Sequence, residues 1–248
     1  MRRALLAAAF CAFATQAPAA EIRLIASNAL KEAYTELLPQ YEKQSGDKVV
    51  VDWQPAVRVP ARVTGGEAMD IAILPAEGVD DLATKGFLVP GSRVDLAKSP
   101  IGVAIRAGAP RPDISSAEAV TRSLLASQSI VISGGTSSFY LKDLFKTMGI
   151  ADAIAPKLHE YGPESGTNVP RVLAEGKGDL GFTQAPQFLG VKGIDYIGPL
   201  PAEIQDVTIF SAGLSRKAQT PDAAKALLKF LTSADATRVL KTYGLDPG

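Results

Sequence analysis

The sequence predicts an α/β chain of two lobes, each a mostly parallel sheet flanked by helices. Three observations predict it. Short apolar runs alternate with helical periodicities along most of the chain, the pattern of strand–helix–strand units. The stretch Ala107-Gly108-Ala109-Pro110-Arg111-Pro112, held extended by its prolines, breaks that alternation and is read as a hinge or crossover. The two α/β series on either side are each of a size that fits one domain better than a single large one would fit both.

Taken in order, Ile22 to Ala26 is an apolar run that reads as a buried strand. From Ala29 to Gln44, Leu30, Ala33, Tyr34, Leu37, Leu38 and Tyr41 recur at spacings of three and four, which gives one apolar helix face. Ser45-Gly46-Asp47 ends that helix, and a strand follows over Val49 to Trp53. Val59 to Thr64 predicts a short helix, Ile71 to Leu74 a third strand, and Glu77 to Thr84 another helix. Ile101 to Arg106 reads as a strand ahead of the proline stretch.

In the second series, helices are predicted near 116–125, over Phe139 to Met148 and over Val169 to Glu175. Gly149 and Gly176 stop the last two. Strands are predicted over Ser129 to Ile132, near Leu158 to Tyr161 and over Leu180 to Gln184. The chain then gives a strand near Val207 to Ala212 and two closing helices, Asp222 to Leu231 and Ala234 to Thr242, the first begun by Thr220-Pro221-Asp222.

The first residues, MRRALLAAAFCAFATQAPAA, combine Arg2 and Arg3, an apolar run from Ala4 to Ala14, and Ala17-Pro18-Ala19. This is the pattern of a secretory signal peptide over residues 1–19. The apolar run is well short of the roughly 20 residues a helix needs to cross a bilayer. Cleavage there would remove the single cysteine, Cys11. With 26 basic and 26 acidic side chains the net charge is zero, so the electrostatic footprint of a nucleic-acid binder is missing. One Cys and one His provide no ligand set for a structural zinc, and no cofactor is called for.

In open parallel sheets, ligands bind beyond the carboxyl ends of the strands, where helix N-termini are presented. Three such loops share a composition here: Ala26-Ser27-Asn28-Ala29, Ser133-Gly134-Gly135-Thr136-Ser137-Ser138, and Glu164-Ser165-Gly166-Thr167-Asn168 running into a helix at Val169. Unpaired N–H groups and hydroxyl donors at a helix start favour an anion. Any one of these residues alone is accounted for as a helix cap worth about 1 kcal/mol. Together they describe a cleft for a small oxyanion or carboxylate. Arg58, in Gln54-Pro55-Ala56-Val57-Arg58, is placed to grip a carboxylate through both guanidinium arms, and Gln184 closes the cleft from the second lobe. The expected ligand contacts are Ser27, Asn28, Arg58, Ser133, Thr136, Ser137, Ser138, Thr167, Asn168, Val169 and Gln184.

The catalytic patterns fail in turn. A Ser-His-acid triad would need His159, which falls inside a predicted strand. Ser45-Gly46-Asp47-Lys48 matches S-x-x-K but lies in a turn after a helix, and Gly176-Lys177-Gly178 lacks the rest of a phosphate loop.

The chain resembles the type II periplasmic solute-binding proteins, and within them the molybdate-binding-protein-like group. The likeness runs from Ile22 to Pro247. It is carried by Ile25-Ala26-Ser27, by Asp70-Ile71-Ala72-Ile73, by Gly91-Ser92-Arg93-Val94-Asp95-Leu96, by the stretch from Val103 to Ser115, by Gly178-Asp179-Leu180-Gly181-Phe182, and by Ile197 to Glu203. The resemblance implies two lobes joined by two crossovers: lobe I over 20–104 and 207–248, lobe II over 105–206. It also implies a monomer in the periplasm that clamps a small anion and hands it to an ABC permease. Molybdate binders carry a serine in the loop after the second strand, where this chain has Pro55-Ala56-Val57-Arg58, so a carboxylate is favoured. The Ser92 to Ser115 stretch is similar to a subgroup that includes the aconitate isomerases. That likeness implies a second function, interconversion of cis- and trans-aconitate by allylic proton transfer; the sequence nominates no base for it, and Tyr140, Glu164 and His159 are candidates for that role.

Overall fold

A computed structural model of the chain describes residues 19–162 and 164–248; the leader expected over residues 1–19 lies almost wholly outside them. The first lobe is built on the parallel strands β1 (Glu21–Ser27), β2 (Lys48–Gln54) and β3 (Ile71–Pro75), in the order β2-β1-β3. Antiparallel to β3 runs β9 (Val207–Leu214), and beside it the first half of β4 (Val94–Arg106). The second lobe repeats the plan with β5 (Ile130–Ser133), β6 (Leu158–Tyr161) and β7 (Leu180–Gln184), parallel in the order β6-β5-β7. The second half of β4 and β8 (Ile194–Pro199) add antiparallel strands.

Helices cover both faces of each sheet, which is why the parallel strands read as continuous apolar runs. In lobe I, α1 (Lys31–Ser45), α8 (Pro221–Leu231) and α9 (Ala234–Thr242) bury Tyr34, Leu37, Leu227 and Leu240 against one face. α2 (Val59–Thr64) and α3 (Ala76–Thr84) set Val59, Val63 and Leu82 against the other. In lobe II, α4 (Ala117–Ala126), α5 (Thr136–Thr147) and α6 (Ala151–Ile154) pack Val120, Leu141 and Phe145 on Ile132 and Phe182. The opposite face is closed by α7 (Val169–Ala174) through Val169, Val172 and Leu173. The two-residue β10 (Asp246–Pro247) pairs with β4. α1 ends where its periodicity ends, at Gly46, whose φ of 82° is open to glycine and strained for other residues; its N–H caps the Glu42 carbonyl.

The lobes are joined through β4, which changes sheets between Pro100 and Ile101: Pro100 pairs with Val207 of β9, and Ile101 with Gln184 of β7. Gln205 clasps the same point from the return connection, accepting from Ile101 N–H at 2.8 Å and donating to the Ile101 carbonyl at 3.1 Å and the Leu200 carbonyl at 3.2 Å. The crossover therefore precedes the Ala107–Pro112 stretch expected to carry it, and Ile101 to Ala104, expected in lobe I, pair with β7. That stretch turns beyond the far end of β4 inside lobe II, where Ala107 N–H reaches the Gly193 carbonyl at 3.0 Å and Gly108 N–H reaches Asp195 at 3.1 Å. A strand shared by two sheets crosses between lobes without any break in its extended backbone, so it leaves no loop-like signal. α5 begins three residues ahead of its predicted start at Phe139, and α6, β8 and the first half of β4 were not predicted. Among the described residues no helix is long and apolar enough to cross a membrane.

Candidate functional site

The carboxyl ends of β1, β2, β5, β6 and β7 open onto one cleft of about 860 Å³ between the lobes. Lobe I supplies Ser27, Asn28, Lys31, Glu32, Pro55, Ala56 and Phe210. Lobe II supplies Ser133 to Ser137, Tyr161, Gly162, Thr167, Asn168, Arg171, Gln184, Gln187 and the turn from Leu189 to Lys192.

Ser27 ends β1 and caps the turn that leads into α1; its hydroxyl accepts from Ala29 N–H at 3.3 Å and is buried. A hydroxyl that accepts from the backbone keeps its own proton for another acceptor. Across the cleft, Ser133 at the end of β5 and Ser137 in the first turn of α5 stand 3.1 Å apart, oxygen to oxygen. The N-cap of α5 is Gly135, which has no side chain to satisfy the first-turn N–H groups, and these border the cleft beside Thr136. Gly134 fits because a Cβ there would lie 2.6 Å from the Gly162 Cα, so β5 and β6 end in close backbone contact.

Of the residues expected from sequence, Ser27, Asn28, Ser133, Thr136, Ser137, Thr167, Asn168 and Gln184 line the cleft together. Three do not. Ser138 is buried and turns back to donate to the Gly135 carbonyl at 2.9 Å. Val169 is fully buried in the core beneath α7, because the helix start that exposes Asn168 directs the next side chain inward. Arg58 stands outside the lining and meets Glu164 of the other lobe at 3.7 Å, both side chains being more than half exposed. Asn168 accepts from Arg171 N–H at 3.0 Å, so its side-chain oxygen serves as a helix cap. Gln184 is buried, and its Nε2 donates to Thr208 Oγ1 at 2.9 Å.

The three candidate proton carriers are not in the cleft. Tyr140 donates to the Ile204 carbonyl at 3.0 Å near the crossover, and burial together with the negative charge of Asp206 pushes its pKa up. His159 lies exposed on the edge strand β6, and Glu164 is at the mouth with Arg58. The cleft instead holds charged groups that pattern reading passed over: Lys31, Glu32, Arg171 and Lys192. Lys31 and Glu32 follow Ser27-Asn28 in the same helix start, and that adjacency was the available signal for them. Lys192 lies in an irregular turn with no periodicity to mark it. Among the described residues no three His, Cys, Asp or Glu side chains converge as a metal would require.

Two α/β lobes, two connections between them, one of them the strand β4, and a hydroxyl-rich cleft at the strand ends define the type II periplasmic binding-protein class. The chain belongs to the bacterial extracellular solute-binding protein family, whose profile matches residues 22–246. It is 34% identical over 236 residues to an aconitate isomerase from a Pseudomonas species, covering 93% of this chain and 89% of that one. Its fold is shared with the periplasmic molybdate-binding protein of Azotobacter vinelandii, at a TM-score of 0.75 and 18% identity over 92% of this chain and 99% of that one. It is shared too with the sulfate-binding protein SubI of Mycobacterium tuberculosis H37Rv, at a TM-score of 0.72 and 16% identity over 92% of this chain and 87% of that one.

Proposed function

We propose that the protein is an exported receptor that captures a small anion, a carboxylate or an oxyanion, between its lobes and presents the closed form to an ABC-type importer. One observation carries this reading: the first turns leading into α1 and α5, with Ser27, Ser133, Thr136 and Ser137, face one cleft from opposite lobes. A helix start favours negative charge through its unpaired N–H groups and its dipole. With one such start on each lobe, an anion bound to both favours the closed arrangement, and closure needs only that difference in affinity. The leader pattern and the family support export to the periplasm and action as a monomer as part of this reading.

A second reading has its own support. The identity to an aconitate isomerase favours catalysis on aconitate in the same cleft. In that reaction a base removes an allylic proton and an acid returns one at the other end of the allyl unit, while hydrogen-bond donors hold the carboxylates.

Calorimetry of the leaderless protein with cis-aconitate, trans-aconitate, sulfate and molybdate tests the receptor. Saturable binding of at least one anion is expected, and failure of all four, together with failure of a wider panel of carboxylates, would refute it. Proton NMR of each aconitate isomer with a small molar fraction of protein tests the isomerase. Progressive interconversion establishes it, and unchanged spectra over hours remove it.

A further inference from the structure

We infer that the floor of the cleft holds a niche for one uncharged hydroxyl group, made by Gln184, Ser99 and Thr208, and that the solute is an anion that carries such a hydroxyl. The inference rests on the anion-receptor reading above and adds a specificity contact to it.

Among the described residues, four buried side-chain polar atoms have no hydrogen-bond partner in the protein: Tyr34 Oη, Ser99 Oγ, Gln184 Oε1 and Thr220 Oγ1. Two of the four, on Ser99 and Gln184, fall beside the crossover. Ser99 on β4 is in register with Thr208 on β9, so their side chains stand on one face of the sheet. Gln184 reaches the same place from β7, with Nε2 donating to Thr208 Oγ1 at 2.9 Å. Its own partner in register is Ile101, two residues on from Ser99, and a long side chain spans a diagonal of that kind. Gln184 also lines the cleft, together with Phe210, which follows Thr208 by two residues on β9. A side chain only 4% exposed thus borders the cleft on one side and the Ser99–Thr208 pair on the other.

The chemistry of the niche selects its occupant. A carboxylate has no proton to give to an amide oxygen, whereas a hydroxyl donates and accepts, and so meets the free end of the amide whichever way the amide is turned. Ser99, Thr208 and Gln184 carry no charge, and Ile101 and Phe210 beside them are buried and apolar. An ionised group placed among these five would lose its hydration without gaining a counter-ion. The charge of the solute is left to the helix starts at Ser27 and at Ser133 to Ser137. A site whose buried polar groups are paired only by a ligand hydroxyl discriminates against the analogue that lacks it.

The test is calorimetry of the leaderless protein with three pairs of acids that differ by one hydroxyl: propionate and lactate, succinate and malate, tricarballylate and citrate. Within a pair that binds, the hydroxy acid is expected to bind at least about tenfold more tightly, which is about 1.4 kcal/mol. Two variants should lose most of that advantage: Ser99→Ala, and Gln184→Met, which keeps the side-chain length and removes both hydrogen-bonding ends. Affinity for the parent acid should change little in Ser99→Ala. The hydroxyl removed there has no partner in the protein, so the thermal midpoint of Ser99→Ala should not fall, and its lost advantage reads binding rather than folding. If hydroxy and parent acids bind the wild type equally, if only inorganic oxyanions bind, or if the advantage survives in Ser99→Ala, the niche does not read the solute and the receptor reading stands without it. If no acid of the three pairs binds and the wider panel of anions also fails, both readings fall together.

Discussion

Gln184, at the end of β7 in lobe II, donates from Nε2 to Thr208 Oγ1 on β9 of lobe I at 2.9 Å, and both side chains are buried. The bond lies at the junction of cleft and crossover, so it ties the lobes where they join. Loss of a buried hydrogen bond that strands its partner costs about 1–3 kcal/mol. Gln184→Ala is therefore expected to lower stability by that amount in urea denaturation. A variant as stable as wild type would show that Thr208 finds water or another partner at no cost.

Arg58 and Glu164 form another polar link between lobes, at 3.7 Å, but with side chains 51% and 77% exposed. An exposed pair of this kind contributes about 0–1 kcal/mol. Arg58→Ala is expected to change anion affinity by less than about fivefold, with Glu164→Gln giving the same shift and the double variant no more than either alone. The difference should vanish in high salt. A much larger loss for Arg58→Ala alone, measured by calorimetry, would place its guanidinium on the solute, as the sequence had suggested.

The alternation of apolar runs with periodic helices made most elements legible, because strands buried on both faces and amphipathic helices leave distinct patterns. Ser27, Ser133 and Ser137 were found through their position at strand ends ahead of helices. The crossover was not found, since β4 crosses between sheets at Pro100–Ile101 as an unbroken strand. Val169 was misplaced for the opposite reason: a loop-to-helix junction names a neighbourhood, and whether a side chain at N1 faces solvent or core depends on the sheet beneath it. Lys192 needed three dimensions altogether, since its turn has no periodicity and meets the cleft only in the folded chain, where the neighbouring Gly193 packs closely on Ala174.

Asp70 shows how a buried charge acts as a structural clamp. Its Oδ2 accepts from Arg23 N–H at 2.9 Å, and its Oδ1 from Gln219 N–H at 2.7 Å and Thr220 N–H at 2.9 Å. One carboxylate thus joins β1, the approach to β3 and the segment leading into α8. Hydrogen bonds to a charged group are worth about 1.5–3 kcal/mol each. Asp70→Ala, which removes three, is expected to destabilise the protein by about 3 kcal/mol or more, and Asp70→Asn by less, since the amide oxygen can still accept. Equal stabilities of Asp70→Ala and wild type in denaturant titration would contradict this account.

Asp206 lies next to the crossover, where burial, and secondarily the charge of Glu77, raise its pKa above the ordinary 3.8. For a carboxyl group whose folded pKa is raised, the unfolded chain ionises more readily. Ionisation therefore favours unfolding at pH values above the folded pKa, and the penalty disappears as pH falls below 3.8. Asp206→Asn keeps the shape and removes the charge. It is expected to raise the thermal midpoint at neutral pH and to match the wild type once the pH is below 3.8, while Glu77→Gln should recover part of the same gain. Thermal unfolding of the three proteins across the acidic range checks the sign. A gain that persists unchanged below pH 3.8 would mean that the effect does not come from the charge, and a loss at neutral pH would mean that the carboxylate of Asp206 is stabilised in its charged form by the groups around the crossover.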